Sequence, residues 1–196
     1  LELFLSEFEI SQVMELLESV AIPLGEKNSN QVVFAVSNNL GSMYSDETRL
    51  RQSMLNLISN ACKFTENGTV TISANLTETS MGESVAFQVR DTGIGMTEDQ
   101  LAKVFEEFKQ ASDDTTSKFG GTGLGLSITK VLVEMMGGEL KVESEPEKGT
   151  LFTIVLPKRL PEDNSSELPE VKQNDQELLE ASDYPIILII YHQKTF

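Results

Sequence analysis

The chain has 196 residues, 39% of them hydrophobic, with 31 acidic against 15 basic side chains and a formal charge of −16. That length suits one ordinary domain with a tail, or two small domains. The charge excludes broad nucleic-acid or anionic-membrane binding, which rests on Lys and Arg, but not a nucleotide, which needs only local donors and a cation. The single cysteine, Cys62, excludes an internal disulfide framework and fits a reducing, cytoplasmic compartment. Its place in a predicted helix reads as a buried, inert thiol. No apolar run is long enough to span a bilayer and no signal peptide is recognised, so this segment is expected to make no direct membrane contact, even if a longer parent chain is anchored.

Residues 4–10 alternate apolar and polar side chains and predict a short strand. Ser11 reads as an N-cap, followed by Val13, Leu16, Leu17 and Val20 at helical spacing, with Pro23 and Gly25 marking the end. Residues 31–37 form a strand candidate and Asn38 to Gly41 a turn. A second helix is predicted from an Asp46 N-cap, without a capping box because Arg49 stands at N3. Its apolar face is Leu50, Met54, Leu57, Ile58 and Ala61, while Asn56, Asn60 and Lys63 share another face at i, i+4 and i+7. Asn is a poor interior helix former, so two of them aligned with an ammonium suit a hydrated cation and the phosphates it accompanies. A plain solvated face is the alternative.

After the Asn67-Gly68 turn, Val70, Ile72 and Ala74 predict a half-buried strand that returns through a turn at Gly82 as Val85, Phe87 and Val89. That strand runs into Asp91-Thr92-Gly93-Ile94-Gly95-Met96 and sets a carboxylate at the rim of a sheet. An ionised carboxylate only accepts hydrogen bonds, which suits an exocyclic amine such as that of adenine; a turn-capping Asp is the commonplace alternative. Thr97 and Gln100 complete a capping box for a short helix bearing Leu101, Val104, Phe105 and Phe108. Residues 109–119 are polar and aperiodic, and read as a lid.

They lead into Gly120-Gly121-Thr122-Gly123-Leu124-Gly125-Leu126, where glycines meet a helix start patterned by Leu126, Ile128, Val131, Leu132 and Met135. Backbone N–H groups at such a start suit a phosphate, although taken alone the cluster is equally a turn. The helix stops at Gly137-Gly138, and strands over 139–144 and 151–156 flank a turn at 146–149. The order predicts an α+β, two-layer sandwich with one mixed sheet covered on one face by helices. The domain is expected to span 1–158, followed by an acidic linker or tail (159–183) and a short apolar segment (184–196).

Asn56-Leu57-Ile58-Ser59-Asn60-Ala61-Cys62-Lys63-Phe64-Thr65 resembles the N box of sensor histidine kinases. Asp91-Thr92-Gly93-Ile94-Gly95 resembles their G1 box, Phe105-Glu106-Glu107-Phe108 the F box, and Gly121 to Leu126 the G2 box; Gly149-Thr150 fits the last glycine turn. The chain is identified by this resemblance as the catalytic ATP-binding domain of a two-component kinase of the GHKL superfamily, whose fold is the Bergerat sandwich with a mobile lid.

The resemblance implies roles for individual residues. Asn60 ligates Mg²⁺, with Asn56 supporting it, and Lys63 and Lys118 meet the phosphates. Phe64 and Met96 lie near the nucleotide, and Asp91 accepts from the adenine amine where Gly93 and Gly95 let the base approach. Phe105 and Phe108 anchor the start of the lid, the backbone of Gly121, Thr122, Gly123, Leu124, Gly125 and Leu126 cradles the triphosphate, and Thr150 completes the site. ATP and Mg²⁺ are the implied cofactors. The implied partners are a histidine-bearing dimerisation hairpin of the same kinase and a downstream response-regulator receiver domain. ATPases of the superfamily resemble one another in carrying a glutamate base where this chain has Asn56, and an amide accepts no proton at neutral pH, so phosphoryl transfer is favoured over hydrolysis. The alternatives are a nucleotide-binding regulatory module without transfer, or a serine-kinase or ATPase member of the superfamily. Residues 184–191 could begin a receiver-like domain, although Tyr191-His192 stands where acids would be expected.

Overall fold

The computed structural model describes residues 2–80, 82–105 and 125–160. The lid expected at 109–119, Phe108, Lys118, Gly121, Thr122, Gly123, Leu124 and the segments after 160 lie outside the described residues. The elements run β1 (Ser6–Glu9), α1 (Ile10–Glu26), β2 (Gln31–Val36), β3 (Ser42–Ser45), α2 (Glu47–Phe64), β4 (Thr69–Thr79), β5 (Gly82–Asp91), α3 (Glu98–Leu101), α4 (Gly125–Met135), β6 (Glu139–Glu145) and β7 (Gly149–Pro157).

A five-stranded sheet in the order β2-β4-β5-β7-β6 forms one layer. It is mixed: β2 runs parallel to β4, and the other pairs are antiparallel. Period-2 alternation puts Ile72, Ala74, Phe87, Val89, Ile154 and Leu156 on one face, all fully buried. Against them pack α1, through Ile10, Val13, Met14, Leu17 and Ala21, and α2, through Leu50, Met54, Leu57, Ile58 and Ala61. Each of the Val, Leu, Ile, Phe and Met side chains contributes about 1.5–3 kcal/mol by leaving water, and each alanine less. The opposite face is polar, with Ser73 Oγ donating to Gln88 Oε1 at 3.3 Å and Gln88 Nε2 to Thr153 Oγ1 at 3.4 Å.

Several local expectations change. Helix α1 starts at Ile10 rather than after Ser11, because the Ile10 N–H bonds Gly41 O at 3.2 Å and no side chain is needed as a cap. Pro23 lies inside α1, whose last turn continues to Glu26. Gly25 is the residue the packing demands, since a Cβ there would come within 2.3 Å of Val32 Cγ2 on β2. Leu16 and Val20 flank the buried stripe and remain 48% and 44% exposed. Strand β3 was not anticipated. It is short, and its partners, β1 on one side and Arg159 on the other, are distant in sequence.

Helix α4 also presents a different face from the expected one. Leu132, Val133 and, just past its end, Met136 are buried together with Ser127 and Thr129, whereas Ile128 and Val131 stay 45% and 47% exposed. Its sequence is apolar on nearly every side, so periodicity leaves the rotation open; packing against α2 decides it.

Candidate functional site

Helix α2 carries the polar face predicted for the site, and both its ends are tied down. Asp46 Oδ1 accepts from the Arg49 N–H at 3.0 Å, while Oδ2 accepts from the Phe4 N–H at 2.8 Å. At the other end the last carbonyls of a helix lack intrahelical partners, and asparagines supply them. Asn30 Nδ2 donates to Cys62 O at 3.0 Å and Thr65 O at 2.8 Å, and Asn28 Nδ2 donates to Cys62 O at 3.0 Å. Asn30 Oδ1 accepts from Gly68 N at 3.1 Å. The helix therefore stops at a fixed place, and Lys63 and Phe64 project from its last turn.

Asn56, Asn60, Lys63 and Phe64 are all half-buried. Lys63 Nζ lies 4.9 Å from the centroid of the Phe64 ring, and partial burial lowers its pKa. Asn56 turns toward the start of α4: its Nδ2 donates to Thr129 Oγ1 at 2.9 Å. Asn56, at one end of the Asn-Asn-Lys face, thus adjoins Gly125, which with the half-buried Leu126 is the described part of the predicted phosphate loop.

The second cluster forms where β5 ends. Asp91 is only 6% exposed, on the inner face of the sheet. Its Oδ1 accepts from Gly93 N at 2.9 Å and Thr150 N at 3.2 Å. Those two bonds fix the carboxylate plane and leave Oδ2 as the remaining acceptor. Burial pushes the carboxyl above its ordinary 3.8, and the Gly93 and Thr150 N–H groups, then the Thr65 hydroxyl, draw it part of the way back. Thr65 Oγ1 is buried and has no hydrogen-bond partner of good geometry among the described residues, yet it lies near enough to Asp91 to favour the ionised form. Behind Asp91, burial raises the Cys62 thiol and the Asp91 charge raises it further, consistent with an inert structural thiol.

The glycines around Asp91 serve contacts within the protein. A Cβ on Gly93 would come within 2.2 Å of Phe64 O, and one on Gly95, at φ +64°, within 1.9 Å of Glu145 O. Gly149, at φ +94°, would place a Cβ 2.0 Å from Asp91 O. The end of α2, the G1-like turn and the β6–β7 turn are therefore pressed backbone to backbone. Ile94 N bonds Phe64 O at 3.2 Å, and Glu147 N bonds Ile94 O at 2.8 Å.

Ser144, which sequence reasoning missed, is the hub of this junction. Its single proton goes to Gly149 O at 2.9 Å, so it accepts from Met96 N at 2.9 Å and from Thr150 Oγ1 at 2.9 Å. Of the predicted site residues, Asp91, Gly93, Gly95, Met96 and Thr150 belong to this junction, with Phe64 O in contact, and Asn56 and Gly125 belong to the other cluster. Asn56 and Phe64 lie about 12 Å apart along the axis of α2.

The sequence and the fold match known proteins. Residues 45–160 fit the family described as histidine kinase-, DNA gyrase B-, and HSP90-like ATPase. The chain belongs to that family. Among curated relatives of this histidine kinase-like domain, the autoinducer 2 sensor kinase/phosphatase LuxQ of Vibrio cholerae is 38% identical over 179 residues, 91% of this chain and 20% of LuxQ. The chain thus spans about a fifth of that relative's length. Full-length ShkA, solved in complex with AMPPNP, superposes with a TM-score of 0.69 at 35% identity, over 80% of this chain and 32% of ShkA. The isolated catalytic domain of histidine kinase ThkA gives 0.67 at 26% identity, over 80% of this chain and 97% of that domain. ThkA solved with the response regulator TrrA gives 0.63 at 26% identity, over 79% of this chain and 42% of that ThkA chain. The domain has the GHKL sandwich of histidine-kinase catalytic domains. Among the described residues, no helix is long and apolar enough to cross a membrane.

Proposed function

We propose that the domain binds Mg-ATP between the polar face of α2 and the Asp91 junction, and donates the γ-phosphoryl group to a histidine on a dimerisation hairpin. The observation that carries this reading is Asp91: a buried carboxylate with one oxygen consumed by two backbone donors and the other left to accept. Such an oxygen selects an amine, and adenine presents one. From that anchor the phosphates extend along α2 toward Asn60, Lys63 and the start of α4.

The donor set fits magnesium. Asn60 offers a hard amide oxygen, and no group of three or more Asp, Glu, His or Cys able to hold a metal exists among the described residues. Mg²⁺ at nucleotide sites commonly takes one or two protein oxygens and completes its shell with phosphates and water. When bound, it neutralises charge on the phosphate oxygens. Lys63 adds a point charge there, and phosphate contact offsets the partial burial that depresses its pKa. Asn56 cannot deprotonate water, so the chain supplies no hydrolytic base at that position. An imidazole already carries a lone pair, and its nitrogen bonds phosphorus as the bond to the bridging oxygen of ADP breaks. The protein's share is positioning and charge stabilisation.

The phosphohistidine then serves a response-regulator receiver, the class of partner seen with ThkA. Calorimetric titration with ATP, with and without Mg²⁺, tests the binding half. Asp91→Asn, whose amide can turn a donor toward the adenine amine, is expected to lose about 10- to 100-fold in affinity. Wild-type affinity in that variant, or indifference to Mg²⁺, overturns the site. Transfer of γ-phosphate label to a histidine hairpin supplied in trans tests the chemistry, and label on a serine acceptor instead would reassign the acceptor.

A further inference from the structure

Thr129 belongs to none of the family-like motifs, yet it holds the link between the two helices that flank the phosphate side. It is 2% exposed on α4. A threonine hydroxyl has one proton to give and lone pairs to receive with. The proton is committed within the helix, to Gly125 O at 2.9 Å. The Asn56 amide, at 2.9 Å, must therefore be the donor. The carbonyl end of the same amide packs on the helix start, where a Cβ on Gly125 would come within 2.5 Å of Asn56 Oδ1 and 3.1 Å of Nδ2. Both polar atoms of Asn56 thus abut the first turn of α4, and the orientation of the amide is set by Thr129.

We propose that Thr129 is a positioning residue for the phosphate side of the site: its hydroxyl orients the Asn56 amide and locks the middle of α2 to the start of α4. The role rests on the Mg-ATP reading of that site. An alanine at 56 has no amide proton for Thr129, which then keeps only its bond to Gly125 O. A valine at 129 leaves the Asn56 N–H without its partner. An amide at 56 and a hydroxyl at 129 therefore form one unit, and breaking either half removes the same link.

A double-mutant cycle on this chain reads that unit, using Asn56→Ala, Thr129→Val and the pair, each titrated with Mg-ATP and with adenosine. Thr129→Val is expected to weaken Mg-ATP about fivefold and to leave adenosine affinity unchanged, because the Asp91 junction is not involved. Thr129→Ser is expected to restore Mg-ATP binding. In the Asn56→Ala background, Thr129→Val is expected to add nothing. Equal losses for Mg-ATP and adenosine would show a merely structural role, and wild-type affinity or full additivity would overturn the link. If Val at 129 prevents folding, Thr129→Ala against Thr129→Ser gives the same comparison. A wild type that binds neither nucleotide sinks the site assignment and this role with it, while the same cycle in thermal melts still shows whether residues 56 and 129 are coupled.

Discussion

The two ends of α2 solve different problems. At its C-terminal end, the Asp91 junction is held mainly by backbone groups: three glycines admit carbonyls that any Cβ would block, and both hydrogen bonds to Asp91 Oδ1 come from the main chain. In its middle, the contact with α4 depends on one side-chain amide and one hydroxyl. A site made of main chain is insensitive to the residue types around it except at its glycines. A site made of side chains can be retuned by a single substitution. The Asp91 junction is thus built for permanence, and the contact between α2 and α4 is the adjustable one.

The largest expected effect breaks the permanent end. Gly149→Ala places a Cβ 2.0 Å from Asp91 O at φ +94°, and neither backbone can yield without moving Asp91. The cost is expected at about 2–4 kcal/mol, with nucleotide binding lost as well. Gly82 sharpens the point, for it has a similar φ of +90° but nothing within 4 Å of the added Cβ. Gly82→Ala should cost only the left-handed backbone penalty, about 1–2 kcal/mol, with binding intact. Chemical denaturation and ATP titration of the two variants check both statements, and equal losses would mean that the junction tolerates strain.

The next effect is a pH dependence with opposite signs in two measurements. Burial raises the Asp91 pKa above 3.8, so the carboxylate loses its charge at higher pH than an exposed one would. ATP affinity should fall as pH drops through that raised value. Stability moves the other way. A folded pKa above the unfolded one means that the folded chain holds the proton more tightly, so this group's contribution is fully present below the unfolded pKa and lost as pH rises through the folded one. Between the two values, acidification should weaken ATP binding and slightly stabilise the apo domain. Asp91→Asn should abolish both trends, and a wild-type affinity whose pH profile matches that of Asp91→Asn would contradict the assigned acceptor.

Much of this was legible because it is local. The hairpin of β4 and β5, the Asp46 cap, the Thr97–Gln100 capping box and the i, i+4, i+7 face of Asn56, Asn60 and Lys63 each depend on spacing within one element. What was missed is non-local. Asn30 caps a helix 32 to 35 residues away, and Ser144 bonds Met96, 48 residues before it. Thr129 meets Asn56 across 73 residues. β3 pairs with β1 and with the segment after β7. Nothing in Asn30 or Ser144 as residue types marks them out, because each is a common polar residue that fold geometry supplies with partners. The α4 face failed for a related reason: its buried side at the N-terminal end is polar, Ser127 and Thr129, because it meets Asn56 rather than the core.

The smallest expected effect lies on the same strand as Asp91 but on the other side of the sheet. Gln88 precedes Asp91 by three residues, and alternation turns it to the outer face. Its bonds to Ser73 and Thr153, at 3.3 and 3.4 Å, are long, and the residue is only half-buried. Water can replace such bonds at little cost, and a β-branched residue suits a half-buried strand position. Gln88→Thr should therefore change stability by no more than about 0.5 kcal/mol and leave Mg-ATP affinity unchanged. A loss of nucleotide binding in that variant, measured by the same titration, would mean that the outer face transmits strain to the Asp91 turn through β5. The division between a main-chain junction and its surroundings would then be too sharp.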